Sequence, residues 1–236
     1  PAKKGPARKL QKRAAKAESA PAESTPTVPS GPLDGLNEEQ LAAVTAPERA
    51  VSVIAGPGTG KTKTLVSRIA YLIQNRGVKP SEITAVTFTN KAAGEMRERL
   101  EKQLGGKRAV RAMTIGTFHA ICLQLLTEHT QGVNLLDEYE AREIADEVGK
   151  AHACKLSPTA FLQEVSRRKN GLEPSESALS SEVFDAYQEC LNTANVLDFD
   201  DLLLQAVAMA EAETEKNAKW AKRFHYLLVD EFQDIN

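Results

Sequence analysis

The chain has 236 residues, 42% of them hydrophobic and 26% charged, with a formal net charge of −2. This is the balance of an ordinary globular chain, long enough for one large domain or two small ones, and its charge alone announces no nucleic-acid partner. No apolar run approaches the ~20 residues that span a bilayer, and no apolar stretch follows the basic N-terminus as in a secretory signal, so no membrane role is expected.

Residues 1–34 hold almost no large apolar side chain. Lys3, Lys4, Arg8, Lys9, Lys12, Arg13 and Lys16 make the first half basic, and Pro21, Pro26, Pro29 and Pro32 space out the second. Such a stretch cannot bury enough surface to offset its ordering entropy. It reads as a flexible tail or linker and leaves room for an upstream domain. Its basic half can touch phosphates or simply be solvated. Cys122, Cys154 and Cys190 lie far apart and match no paired metal-ligand spacing, which reads as a reduced, cytoplasmic chain.

Order is expected from "LDGLNEEQLAAV", where Asn37 and Gln40 form a capping-box pair. "RAVSVIAGPGTGKT" reads as a β-branched strand entering a Gly-rich turn, and "KTKTLVSRIAYLI" as the helix after it. "ITAVTFTN" is a predicted strand. "KAAGEMRERLEKQL" is a helix ended by Gly105-Gly106, and "AVRAMTIGTF" is a strand feeding the helix "HAICLQLLTEH". This alternation over 35–127 predicts a parallel sheet flanked by helices. From 128 to 195 the strand signals vanish. "DEYEAREIADEVGKAH" is helical. Ser157-Pro158 opens a helix that Asn170-Gly171 closes, and "SEVFDAYQECLNTAN" is another, together an inserted all-helical subdomain. Over 196–236 the α/β pattern resumes with the helix "DFDDLLLQAVAMAEA" and the strand "FHYLLVDE".

"AGPGTGKT", residues 55–62, is a Walker A pattern with Ala55 at its first position. Backbone N–H groups of such a turn, including Gly56, Gly58, Thr59 and Gly60, wrap phosphate oxygens at a helix N-terminus. Lys61 would reach the β- and γ-phosphates, and the Thr62 hydroxyl would hold Mg²⁺. "YLLVDE" delivers Asp230 and Glu231 from an apolar strand, as a Walker B strand does. In a parallel sheet the carboxyl ends of neighbouring strands share one edge, so Asp230 can meet the metal at Thr62 while Glu231 polarises the attacking water. The fold class is therefore α/β, a P-loop NTPase that binds a nucleoside triphosphate with Mg²⁺. Asp230 lies six residues from the last, so the domain is expected to be incomplete.

The order "QLAAV", "AGPGTGKT", "VTFTNKAAGEM", "GTFHA", "LDFDDLL", "LVDEFQD" resembles the superfamily 1 helicases of the UvrD/Rep/PcrA type, from about Leu36 to Asn236. The resemblance implies that Gln40 recognises adenine, an alternative to its capping role, and that Gln233 senses the γ-phosphate. Phe88, Thr89, Asn90, Thr117, Phe118 and His119 would line a single-stranded DNA track. The bland alternatives are core aromatics for Phe88 and Phe118 and a structural hydrogen-bonder for His119. Arg167, Arg168 and Lys169 can touch phosphates or form a solvated helix end. The family commonly has Arg where this chain has Lys63, which lacks a planar stacking face. The implied parent is a nucleoid-associated, 3′–5′ ATP-dependent helicase acting on single-stranded or partial-duplex DNA, a repair enzyme among its readings. The remaining helicase domains would lie C-terminal to this chain. Because arginine residues from those later motifs are needed for hydrolysis, these residues alone are expected to be inactive. The competing readings are part of a helicase–nuclease, a P-loop kinase, or a non-catalytic P-loop module that binds nucleic acid.

Overall fold

The structure, a computed structural model, describes residues 31–130, 132–212, 218 and 220–234. Most of the tail read in the sequence, and Ile235, lie outside these residues. Two helices precede the first strand, α1 (Glu38–Thr45) and α2 (Lys61–Gln74). They are followed by β1 (Ile83–Val86), α3 (Asn90–Gln103), α4 (Lys107–Ala112), β2 (Thr114–Gly116) and α5 (Phe118–His129). Then come α6 (Glu138–Ala151), α7 (Pro158–Lys169), α8 (Ser181–Ala194), α9 (Phe199–Glu211) and β3 (Tyr226–Val229).

The strands form a parallel sheet in the order β2-β1-β3, with Ala85 opposite Ile115 on one side and Leu228 on the other. All four residues of β1 are buried, as the central strand of a three-layer sandwich must be. Alternation assigns its faces. Ile83 and Ala85 join the cluster of Val66, Ile69, Met96 and Leu100 from α2 and α3. Val86 turns the other way, to Ile121 and Leu125 of α5 and to Trp220. Thr84, also on that face, donates its hydroxyl to the Arg223 carbonyl at 2.8 Å, so no buried hydroxyl is left unpaired there.

Helices α6, α7 and α8 have an apolar cluster of their own, built on Phe161, Val165, Leu179, Tyr187 and Leu191. Phe161 and Tyr187 are fully buried and meet in a T-shaped contact at 5.6 Å. The chain enters and leaves this unit side by side. Leu135 bridges to Leu197, with Leu197 N–H on the Asn134 carbonyl and Leu136 N–H on the Leu197 carbonyl, each at 2.9 Å.

Caps set many boundaries where the sequence places them. Asn37 and Gln40 exchange both capping-box bonds at α1. Ser157 caps α7 ahead of Pro158, and Asn170 ends it. Two predicted strands differ. Val51–Ile54 is not a strand, because nothing among the described residues pairs with its backbone, and a strand exists only through its ladder. Its side chains stand exposed, Ile54 at 98%. The stretch Ala109–Arg111, read as part of a strand, lies in helix α4. Gly105-Gly106 restarts the chain, Lys, Arg and Ala favour helix, and only Thr114–Gly116 reaches the β1 ladder.

Replacing Phe161 with Ala should cost about 3–5 kcal/mol of unfolding free energy, the usual range for an emptied aromatic site. Urea unfolding of the two proteins checks this; a loss under ~1 kcal/mol would mean the three-helix core collapses to fill the space.

Candidate functional site

Parallel strands put their carboxyl ends on one edge, and three of the segments singled out in the sequence leave from it. Thr87 follows β1, Thr117 follows β2 and Asp230 follows β3. The ladder continues past the strands, with Thr87 N–H on the Gly116 carbonyl and Asp230 N–H on the Val86 carbonyl, both 2.9 Å. Asp230 is therefore fixed by its backbone before its side chain does anything.

The Gly-rich loop closes on itself and on α1. Gly58 and Gly60 have φ of +77° and +89°, a left-handed backbone that suits glycine and turns consecutive amides the same way. The Thr59 hydroxyl donates to the Gly56 carbonyl at 2.7 Å. Gln40 does two things at once. Its oxygen accepts from Asn37 N–H at 3.2 Å in the capping box, and its amide donates to the Thr59 carbonyl at 2.9 Å. A Cβ on Gly60 would come within 2.9 Å of that amide nitrogen and make the Gln40 side chain shift. Lys63 sends its ammonium to the Gly35 carbonyl and so ties the helix to the entry turn.

Lys61, the first residue of α2, reaches across to the other acidic motif. Its Nζ lies 3.1 Å from Glu231 Oε1 and 3.2 Å from Oε2, bridging residues 170 positions apart. Gln233 donates to the same carboxylate at 2.6 Å. These donors, Gln233 first and then Lys61, hold Glu231 below the usual carboxylate range. Asp230 moves the opposite way: burial, and then the neighbouring Glu231 charge, push it up. Glu231 itself has φ +52°, a left-handed conformation rare for a residue with a side chain, which turns it from the β3 line towards Lys61. Lys61 and Gln233 thus meet on the Glu231 carboxylate, with Asp230 next to it in the chain.

A divalent ion fits the chemistry of the donors present. They are hard oxygens, a carboxylate at Asp230 and a hydroxyl at Thr62, and Asp230 carries a charge that burial and Glu231 penalise. Among the described residues no cluster of three or more His, Cys, Asp or Glu forms a cage of its own. Mg²⁺ commonly takes one or two carboxylates and completes its shell with substrate phosphates and water. His152 faces Glu182 at 3.6 Å.

The remaining segments sit on the same edge. Phe88 is 65% exposed and Phe118 37%, so neither is a core aromatic. Thr89 and Thr117 cap α3 and α5, their hydroxyl oxygens accepting from Ala92 N–H at 3.1 Å and Ala120 N–H at 3.2 Å. A hydroxyl used as acceptor keeps its own proton to donate outward. Asn90 opens α3 and is exposed. His119 is exposed and meets Phe199 edge-on, centroids 5.3 Å apart and planes at 88°.

Sequence reasoning passed over Phe199. It lies in the quoted "LDFDDLL" and was given no role, although it is half exposed in the first turn of α9. Lys169 was read as a solvent-facing candidate for phosphate. Its side chain is instead 3% exposed and lies between two aspartates. Arg168 covers the Phe184 ring at 4.2 Å, and Arg167 pairs with Glu164 at 2.7 Å, so these cations belong to the helical unit's own packing.

A parallel sheet, a Gly-rich loop at a helix N-terminus and an acidic pair at the end of a neighbouring strand define a RecA-like P-loop fold. The UvrD/REP helicase N-terminal domain model matches residues 36–236, and the chain belongs to that family. It is 37% identical over 241 residues to the ATP-dependent DNA helicase UvrD1 of Mycobacterium tuberculosis (strain ATCC 25618 / H37Rv), a match covering 90% of this chain and 31% of the relative. It is 38% identical over 227 residues to UvrD1 of Mycobacterium leprae (strain TN), covering 86% and 29%. With the ATP-dependent DNA helicase PcrA of Staphylococcus aureus (strain NCTC 8325 / PS 47) the figures are 33% over 223 residues, 86% and 30%. The chain thus spans less than a third of the length of these relatives.

Carboxyl ¹³C titration should find Asp230 above and Glu231 below the ordinary range. Lys61→Met should raise both, since the ammonium favours both charged forms. The linkage signs are opposite. Glu231 contributes stability present above its unfolded value (about 4.3) and lost as pH falls through its lower folded value. The charged form of Asp230 costs stability at neutral pH, and the cost disappears below its unfolded value. Titrations unmoved by Lys61→Met would show that the ion pair does not form in solution.

Proposed function

We propose that this chain is the first ATP-binding portion of an ATP-dependent DNA helicase that translocates 3′ to 5′ on single-stranded DNA. The observation that carries the proposal is the contact of Lys61 with Glu231 on the edge that also presents Phe88, Phe118 and His119. Family membership and the printed activity of its relatives support it. The backbone amides of residues 56–60 and the Lys61 ammonium would hold a triphosphate, and Thr62 and Asp230 would hold Mg²⁺. Bound Mg-ATP supplies the phosphoryl group that is passed to water. Gln40, hydrogen-bonded to the loop at Thr59, would take the adenine, and Lys63 stands where the family commonly has arginine.

Charge explains how such a site can wait. Paired with Lys61 and Gln233, Glu231 is a weak base, because its charged form is the favoured one. With Lys61 turned to a phosphate, Glu231 would be free to accept a proton from water, and Gln233, bonded to the same carboxylate, would register the exchange. On the nucleic-acid side, an exposed aromatic such as Phe88 stacks any base, worth about 1–3 kcal/mol each, and the helix N-termini behind Thr89 and Thr117 favour phosphate.

The domain reading is a tail through residue 34, the P-loop domain in two parts (35–127 and 196–236) and the helical unit 128–195 between them. Two features support an incomplete domain. Among the described residues β3 pairs only with β1 and leaves Leu227 half exposed, and the apolar segment Val51–Ile54 pairs with no strand. Downstream helicase sequence would complete the sheet there and supply the arginines that hydrolysis needs. A nucleoid-associated role in the cytoplasm goes with this reading; among the described residues no helix is long and apolar enough to cross a membrane.

In the full-length protein, Lys61→Ala should abolish DNA-dependent ATP hydrolysis in a steady-state turnover assay, while the 236-residue chain alone should hydrolyse ATP negligibly. Brisk DNA-stimulated turnover by the chain alone would refute the incomplete-domain reading. Full-length protein without DNA-dependent hydrolysis would refute the helicase reading.

A further inference from the structure

The helical unit is joined to α9 by a buried charge cluster that the phosphate chemistry does not use. Lys169, the last residue of α7, places Nζ 2.6 Å from Asp198 Oδ2 and 2.8 Å from Asp201 Oδ1. Both aspartates are themselves largely buried, with side chains 14% and 13% exposed. Asp198 is also the N-cap of α9, its Oδ1 accepting from Asp201 N–H at 2.9 Å. The buried Tyr187 hydroxyl donates to Asp198 Oδ2 at 3.5 Å, and the Tyr187 ring lies 5.7 Å from the Lys169 ammonium. Next to Lys169, Asn170 donates to Asp200 Oδ1 at 2.9 Å. A cation at the end of one helix and anions at the start of another are each favoured by the helix dipoles.

Phe199 sits inside this clasp. Asp198 before it and Asp200 and Asp201 after it are all held from α7, so the first turn of α9 has little freedom to rotate. The Phe199 ring is left half exposed and edge-on to His119, on the carboxyl edge of the sheet. The clasp holds the backbone on both sides of Phe199, and the ring itself is met edge-on by His119.

We infer that Lys169 is a positioning residue: through the first turn of α9 it fixes the Phe199–His119 pair, so that the grip on single-stranded DNA depends on a buried contact with the helical unit. The inference rests on the DNA-track reading of His119 proposed above. It differs from simple structural support in one respect. Its effect on DNA must pass through Phe199, so removing Phe199 must remove the effect.

The test uses the full-length protein, a fluorescent oligo-dT probe read by anisotropy, DNA-free ATP turnover and thermal unfolding. Lys169→Met should weaken DNA binding about tenfold and leave DNA-free turnover unchanged. Asn170→Ala, at an exposed bond that folding can spare, should weaken binding about threefold and decides the matter if Lys169→Met does not fold. Either change combined with Phe199→Ala should bind no worse than Phe199→Ala alone. Wild-type affinity in folded Lys169→Met or in Asn170→Ala, or losses that add to that of Phe199→Ala, would overturn the inference while leaving the functional reading standing. Wild-type protein that fails to bind the probe would overturn the functional reading itself, and this inference with it.

Discussion

The ion pair between Lys61 and Glu231 is the interaction on which the functional account depends. It is not what holds the fold together. Both side chains are about one third exposed, and water and salt screen a pair of that kind, so it adds little to stability. Its value is positional. It shows that a loop near the start of the chain and an acidic turn near the end meet at one point, although the intervening sequence includes an entire helical unit.

That meeting is possible because the sheet is parallel. The core is made by the alternation of β1, with Ile83 and Ala85 facing one helical layer and Val86 the other. Once those faces are buried, the strand ends have no choice of edge, and Thr87, Thr117 and Asp230 must emerge together. Burial therefore sets the chemistry as well as the stability. The same burial that packs β3 raises Asp230, while the donors around Glu231 lower it, giving two adjacent carboxyls unlike tendencies to hold a proton.

Local signals in the sequence transferred well to the structure. Asn37 with Gln40, Ser157 before Pro158 and the Asn170-Gly171 stop are short-range chemistry, and each bounds a helix where expected. Lys61, Asp230, Glu231 and Gln233 were legible because their spacing to strands and helices carries meaning. What could not be read depended on partners distant in the chain. Val51–Ile54 has strand composition and no strand to pair with. Ala109–Arg111 has strand-like neighbours and helical surroundings. Lys169 looks like one of three solvent-facing cations until the fold places Asp198 and Asp201 around it, and Phe199 gains meaning only beside His119. Long-range pairing separates what the residues announce from what they hide at Val51–Ile54, Lys169 and Phe199, whereas at Ala109–Arg111 local helix propensity prevailed over strand-like neighbours.

The helical unit is thus attached through a backbone bridge at Leu135 and Leu197 and through the buried clasp at Lys169, among other contacts. One sets where it leaves the sheet domain and the other ties it to the edge where the aromatics stand. The central claim remains the shared site of the two acidic and basic motifs. Anomalous diffraction from crystals holding Mn²⁺ and a non-hydrolysable ATP analogue tests it directly. The account predicts one metal peak within about 2.0–2.3 Å of both the Thr62 hydroxyl and an Asp230 oxygen, with Lys61 moved from Glu231 onto phosphate. A metal bound elsewhere, or nucleotide bound with Thr62 and Asp230 too far apart to share an ion, would contradict it.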